Sequence, residues 1–229
     1  KINMDSKENN LNVKYGLPKE VKYCVKCNMS NQQPMSSNEY LHSVNDKKET
    51  MSFDEEGVCY ACRFNEFKAD GTINWEEREK ELIELCNKYR KNDGSYDCIV
   101  GGSGGKDSAF QSHILKYKYG MNPLTITWPP ILYTDYGYKN WKSWINSGFD
   151  NVTFTPNGKV MNLLTKLSIE NLYHPFQTFM LGQKNLAPKL ALKYNIPLIF
   201  YGENEAEYGN PIADNSTSLR DKSYYAINN

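Results

Sequence analysis

No stretch of about 18 consecutive apolar residues occurs in this 229-residue chain, so nothing in it reads as a transmembrane helix. The first residues carry no basic start followed by an apolar core, and no secretory signal is expected. An excess of one charge is missing too, because 27 basic residues balance 27 acidic ones. A uniformly basic nucleic-acid surface is thereby disfavoured, although a local patch survives such an average. Internal repeats and low-complexity tracts are absent. These gaps leave a globular chain, expected in the cytoplasm, whose 39% hydrophobic content can support a core.

Six cysteines are present, and four of them form two tight pairs, Cys24-Val25-Lys26-Cys27 and Cys59-Tyr60-Ala61-Cys62. Without a secretory signal, that spacing favours metal ligation in a reducing compartment over a disulfide framework. Two such turns can wrap one tetrahedral zinc from two directions. The residues between them are too poor in apolar side chains to fold unaided, so bound metal is expected to supply part of the stability. Four sulfur ligands leave no open position for water, which makes the role structural. An iron–sulfur centre is the alternative that the same ligands allow. Cys86 and Cys98 stand alone in apolar periodic segments and read as core.

Residues 1–20 are polar and read as a flexible segment. Residues 21–73 form the expected zinc-binding module. Residues 74–94 read as a linking helix, with Asn74 as its cap and Trp75, Leu82, Leu85, Cys86 and Tyr89 at helical spacing. Asn92-Asp93-Gly94 marks the turn that closes it. In 95–229 short apolar strands alternate with amphipathic helices. Strands are expected at 96–100, 124–127, 151–154 and 196–200, with helices at 106–119, around 141–146, near 160–172 and around 178–194. Pro188 is expected to bend or break the last helix. This alternation predicts an α/β fold with a mostly parallel sheet, whose ligands collect beyond the carboxyl ends of the strands. Tyr224 to Asn229 close no recognisable element, so the domain is expected to continue past them.

The most informative segment is Gly101-Gly102-Ser103-Gly104-Gly105-Lys106-Asp107-Ser108, between the first strand and its helix. Glycines let the backbone turn and approach a ligand closely. Amides of the loop and the first helical turn can surround phosphate oxygens. Ser103 and Ser108 add hydroxyl donors, and Lys106 adds positive charge. The Asp107 carboxylate would repel phosphate, which fits support of magnesium or orientation of loop groups. An ATPase P-loop requires Ser or Thr where Asp107 stands, and a dinucleotide fingerprint requires a different glycine spacing. Gly202-Glu203-Asn204-Glu205-Ala206-Glu207 follows the fourth strand, at the same predicted edge. Its crowded carboxylates call for a divalent cation, unless they are only a solvated helix cap. Asp135, after the second strand, either contacts ribose or substrate or closes an Asx turn.

Ser103 to Ser108 resembles the signature of the N-type ATP pyrophosphatases, the PP-loop superfamily, which includes NAD synthetase, argininosuccinate synthetase and tRNA-thiolating enzymes. The resemblance implies an adenine nucleotide alpha hydrolase-like fold, with ATP cleaved between its α and β phosphates. Gly102, Ser103, Gly104, Gly105, Lys106, Asp107 and Ser108 would then hold the nucleotide. Asn204 and Glu207 resemble the Asn-x-x-Glu element of NAD synthetase, which makes Glu207 the first magnesium ligand by that match, with Asp107 beside it. The longer order adds the cysteine module, Asn140-Trp141, Gly148-Phe149-Asp150, His174-Pro175-Phe176 and Tyr201 to Glu207. It resembles the N-acetyl sugar amidotransferases of bacterial surface-polysaccharide and flagellin-glycan biosynthesis, across about residues 21–221.

That resemblance implies conversion of an acetamido group on a nucleotide-activated sugar to an acetamidino group, with catalytic roles for Lys106, Asp107 and Glu207. ATP, Mg2+ and Zn2+ are the implied cofactors. Ammonia would come from a glutamine amidotransferase partner through a cyclase-like channelling subunit, because the chain shows no complete glutaminase arrangement. His174 suits proton transfer during ammonia attack, or simply a helix-end hydrogen bond. A tRNA-modifying PP-loop enzyme is the rival reading.

Overall fold

The structure, a computed structural model, describes residues 13, 16–34, 45–47 and 49–202. They fall into two compact units that divide between Asn74 and Trp75.

The first unit has little regular structure. Isolated antiparallel bridges join Tyr23 to Ser30, Pro34 to Thr50 and Phe53 to Cys59. Its buried centre consists of Cys24, Met51, Val58 and Cys59, with Met29, Phe53, Tyr60, Ala61 and Cys62 packed around it. The second cysteine pair opens helix α1, Tyr60–Ala69, which the sequence did not lead us to expect. No residue of α1 is fully buried, so packing alone does not hold it. It is tied down at its start by Cys59, at the cap position, and along its length by an ion pair between Lys26 and Glu66.

The second unit begins with α2, Trp75–Tyr89, followed by β1, Cys98–Gly101. Next come α3, Lys106–His113, β2, Pro123–Thr127, and α4, Asp135–Asn146. The order continues with β3, Asn151–Thr153, α5, Gly158–Leu172, α6, Gln177–Tyr194, and β4, Leu198–Phe200. The sheet order is β3-β2-β1-β4, and every pairing is parallel. The mixed α/β fold with a parallel sheet is the predicted architecture.

Strand alternation divides the core into two layers. Ile99, Leu124 and Ile126 pack with Leu186, Ala187 and Leu190 of α6 and with Ile196. Cys98 and Val100 pack with Cys86 of α2, Leu115 and Met121. Thr125 and Thr127 are also fully buried, although both are polar. At the amino edge, Asp97 accepts hydrogen bonds from the amides of Lys91 (2.6 Å) and Asn122 (2.7 Å), which fixes the turns that enter β1 and β2.

Three helices of this unit depart from expectation: α4 starts at Asp135, six residues before 141, and two others differ along their length. The helix behind β1 is α-helical only to His113, and Ile114–Lys118 continues it as a π-helix. The wider turn points Leu115 into the core, while Tyr117 donates to the Ser147 carbonyl at 2.9 Å. Helix α6 runs through Pro188 without a break. Proline in a helix interior costs about 3 kcal/mol. Leu186, Ala187 and Leu190, all buried on the sheet around it, offset that cost. Helix α5 is predicted well in position but buries only Ser168 fully, leaving Val160, Leu163, Leu164 and Leu167 exposed.

Candidate functional site

Each strand of a parallel sheet delivers its following loop to the carboxyl edge. There β1 ends in the glycine loop and α3 starts. Gly105 holds the cap position of α3 in an extended conformation and makes no side-chain cap hydrogen bond. The first-turn amides of a helix have no intrahelical acceptors, so they and the helix dipole together make an anion site. Ser103, Gly105, Lys106 and Asp107 are exposed, so the loop opens to solvent.

The loop is pressed against what surrounds it. A β-carbon on Gly102 would lie 2.3 Å from Ser108 Cβ and 2.9 Å from Trp144 Cη2. Gly104 has φ +83°, and a β-carbon there would lie 2.5 Å from the Trp141 Cα. No other residue type fits either place without displacing backbone or a buried ring. Helix α4 supplies both tryptophans, at i and i+3. Trp144 is buried and its indole donates to Ser112 of α3 at 2.8 Å. The Trp141 indole donates to Thr127 at 3.2 Å. Both therefore brace the loop.

The individual positions divide as follows. Lys106 Nζ stands 4.0 Å from Asp107 Oδ1, with side chains 92% and 56% exposed. So loose a pair contributes little to stability and leaves the ammonium free to meet a ligand. Ser108 is buried under the loop, and its hydroxyl donates to the Gly105 carbonyl at 3.1 Å. Gly202, after β4, meets Asp107 directly, since a β-carbon there would lie 3.3 Å from Asp107 Cβ. The Tyr201 carbonyl accepts from Gln111 of α3 at 2.7 Å. Gly202 is thereby placed against the first turn of α3. Glu203, Asn204, Glu205 and Glu207 themselves lie outside the described residues.

Asp135 is the exposed first residue of α4, and the cap is Thr134, whose hydroxyl accepts from Gly137 N at 3.0 Å. His174 follows the left-handed residue Tyr173, and its amide donates to the Ser168 carbonyl at 3.3 Å. Helix α6 begins three residues later. A β-carbon on its Gly182 would lie 2.2 Å from Trp128, which follows β2, whereas Asn195 at its far end accepts from Lys91 at 3.4 Å. Hence α6 runs against the strands, and its start is at the carboxyl edge. Trp128 also stacks on Phe154, with ring centroids 5.5 Å apart. The sequence reading passed over Thr127 and Asn151. Polar residues at the end of β2 and the start of β3 carry no periodic signal that would have singled them out.

The four cysteines of the expected metal site come together in the first unit. The sulfurs of Cys24, Cys27, Cys59 and Cys62 all lie within 4.8 Å of one another. Cys24 and Cys62 are 3.9 Å apart, and Cys27 and Cys59 are 3.7 Å apart. Zinc–sulfur bonds of about 2.3 Å in a tetrahedron require sulfurs about 3.8 Å apart, so the four residues can hold zinc. Backbone amides of Lys26 and Cys59 point at the Cys24 sulfur, at 3.4 and 3.2 Å. Burial opposes ionisation of Cys24, but this donation outweighs it and lowers the pKa to about 6. Cys62, hydrogen-bonded to Cys27 and further opposed by burial, is pushed up to about 12. Crowded sulfurs cannot all ionise unless a cation compensates them.

No protein-family model matches the chain. A segment of 53 residues is 42% identical to an uncharacterised protein of Methanocaldococcus jannaschii, covering 23% of this chain and 19% of that protein. Among solved structures, the chain is similar to an NH3-dependent NAD synthetase from Campylobacter jejuni subsp. jejuni NCTC 11168, in complex with the nitrate ion. That superposition has a TM-score of 0.45 at 17% identity, and it covers 59% of each chain. The chain therefore spans less than two thirds of both proteins.

Proposed function

We propose that this chain is an ATP-dependent ligase of the PP-loop type, which activates a substrate oxygen as its adenylate and releases pyrophosphate. The observation that carries this reading is the solvent-open glycine loop at the uncapped start of α3, at the carboxyl edge of a parallel sheet. Backbone donors there would hold the leaving pyrophosphate, and Lys106 would stabilise charge that develops on it. Asp107, with Glu207 from the acidic segment, would hold magnesium, whose charge offsets that of the triphosphate.

Within that class, the order of motifs supports amidination of an N-acetyl group on a nucleotide-activated sugar. The amide oxygen attacks the α-phosphorus of ATP, the bond to the β-phosphate oxygen breaks, and an O-adenylated imidate forms. Ammonia then adds to the imidate carbon. AMP leaves with the former amide oxygen, and loss of a proton gives the amidine. His174, ahead of the carboxyl-edge start of α6, would take up that proton. Ammonia would come from a separate glutamine amidotransferase through a channelling subunit, in the cytoplasm, and the four-cysteine cluster would hold a structural zinc.

The test supplies ATP, magnesium, ammonium and candidate N-acetyl nucleotide sugars to the protein and measures products. AMP, pyrophosphate and a sugar in which NH replaces O are expected. Formation of ADP overturns the adenylation, and AMP formed only with a tRNA acceptor supports the rival instead.

A further inference from the structure

We propose that Thr127 is a positioning residue that aims the Ser103 amide into the anion site. The inference rests on the reading of the glycine loop as a pyrophosphate holder. Thr127 ends β2 and is fully buried. Its hydroxyl makes three contacts. It lies 2.9 Å from the Gly102 carbonyl, 3.2 Å from the Trp141 indole nitrogen and 3.2 Å from the Asn151 side-chain nitrogen.

A hydroxyl has one hydrogen to donate and two lone pairs to accept with. The indole and the amide nitrogen are donors only, so they take both lone pairs. The one proton of Thr127 is thereby directed to the Gly102 carbonyl. Asn151 is itself fixed, because its other amide hydrogen serves Thr125 at 3.0 Å and its oxygen accepts from Thr153 at 2.7 Å.

The consequence reaches the loop through a single peptide plane. The Gly102 carbonyl and the Ser103 N–H belong to one peptide unit, which is trans, as are all peptide bonds among the described residues. In a trans unit the two groups point in opposite directions. The carbonyl is bonded to Thr127 on β2, so the Ser103 N–H is turned the opposite way, away from β2, and Ser103 itself is exposed. Gly102 cannot relax, because its own amide is held by the Ile126 carbonyl at 2.9 Å and its α-carbon is packed against Ser108 and Trp144. A hydroxyl on the strand beside β1 thus helps to fix the direction of a donor in the glycine loop.

The experiment compares Thr127→Val, Thr127→Ser and Trp141→Phe in the full chain, with inorganic pyrophosphate as the binding probe and AMP formation as the rate. Thr127→Val keeps the shape and loses the hydroxyl. It is expected to lower the rate and weaken pyrophosphate binding by about 100-fold, as misplaced donors do. Thr127→Ser restores both. Trp141→Phe leaves no unpaired buried donor, and its smaller loss keeps the test decisive if the valine variant folds poorly. The Ser103 amide resonance should shift on pyrophosphate binding in the wild type and the serine variant, and stay still in the valine variant. A wild type that neither binds pyrophosphate nor forms AMP overturns the functional reading. A wild type that binds, with a folded valine variant that binds equally and shows the same Ser103 shift, overturns the positioning role alone.

Discussion

At the scale of single residues, environment separates six cysteines into two chemistries. Burial raises the Cys86 thiol and pushes Cys98 up to about 12, with the Asp97 carboxylate adding to the shift at Cys98. A thiol whose pKa is raised on folding adds stability below its unfolded value, and that contribution is lost as pH rises toward the folded value. Both thiols should therefore resist alkylation in the native protein near pH 8, about their unfolded pKa, whereas exposed Cys27 in metal-free protein should react. Mass mapping of labelled peptides checks this, and early labelling of Cys98 would contradict its burial. Denaturant midpoints should also fall as pH is raised from about 8 toward 11.

Gly104 is the second residue with a sharp expectation. Its positive φ and the backbone of Trp141 both exclude a side chain. Gly104→Ala should cost about 1–2 kcal/mol from the left-handed backbone alone, before the contact with α4 is counted. Unfolding midpoints measure that cost, and an unchanged midpoint would show that the loop adapts freely. Lys106→Ala should leave stability nearly unchanged, because its ion pair is exposed. The same change should slow pyrophosphate release by about 100-fold, the usual loss when one stabilising group is removed. Retained turnover would remove Lys106 from the mechanism.

At the scale of elements, α1 and α6 show opposite balances. Helix α1 buries nothing fully and depends on the cysteine pair at its start. Cys59→Ser should abolish metal binding and melt α1, seen as loss of zinc by elemental analysis and loss of helical ellipticity. Helix α6 keeps Pro188 because sheet packing outweighs the missing hydrogen bond. Pro188→Ala should raise stability by about 1 kcal/mol or more, since propensity and a backbone donor are both regained. A lower midpoint would mean that the ring itself packs usefully. Most strand and helix positions were legible because apolar periodicity survives locally. The π-turn at Ile114–Lys118 was not, because it serves the contacts of Leu115 and Tyr117 with distant residues.

At the scale of the whole molecule, metal removal should act unevenly. With a chelator present, the amides of Cys24 and Tyr60 should lose exchange protection, while those of Ile99 and Thr125 keep it. The first unit depends on its sulfur cluster, and the second has its own two-layered core. Hydrogen exchange with mass detection measures both, and simultaneous loss of protection would show that the units unfold together. No helix among the described residues is long and apolar enough to cross a membrane.

The sequence by itself determined which residues could do chemistry. Four cysteines in two tight pairs and a glycine loop between strand and helix are local patterns, written in neighbouring residues. It also determined the parallel α/β class, because alternating periodicity is a property of short windows. Only the tertiary structure decided how the loop is held. The indoles of Trp141 and Trp144, the hydroxyl of Thr127 and the amide of Asn151 come from α4, β2 and β3, far from the loop in sequence. Hydrogen bonds between such distant positions leave no periodic trace, so their direction becomes readable only once the sheet has brought them together.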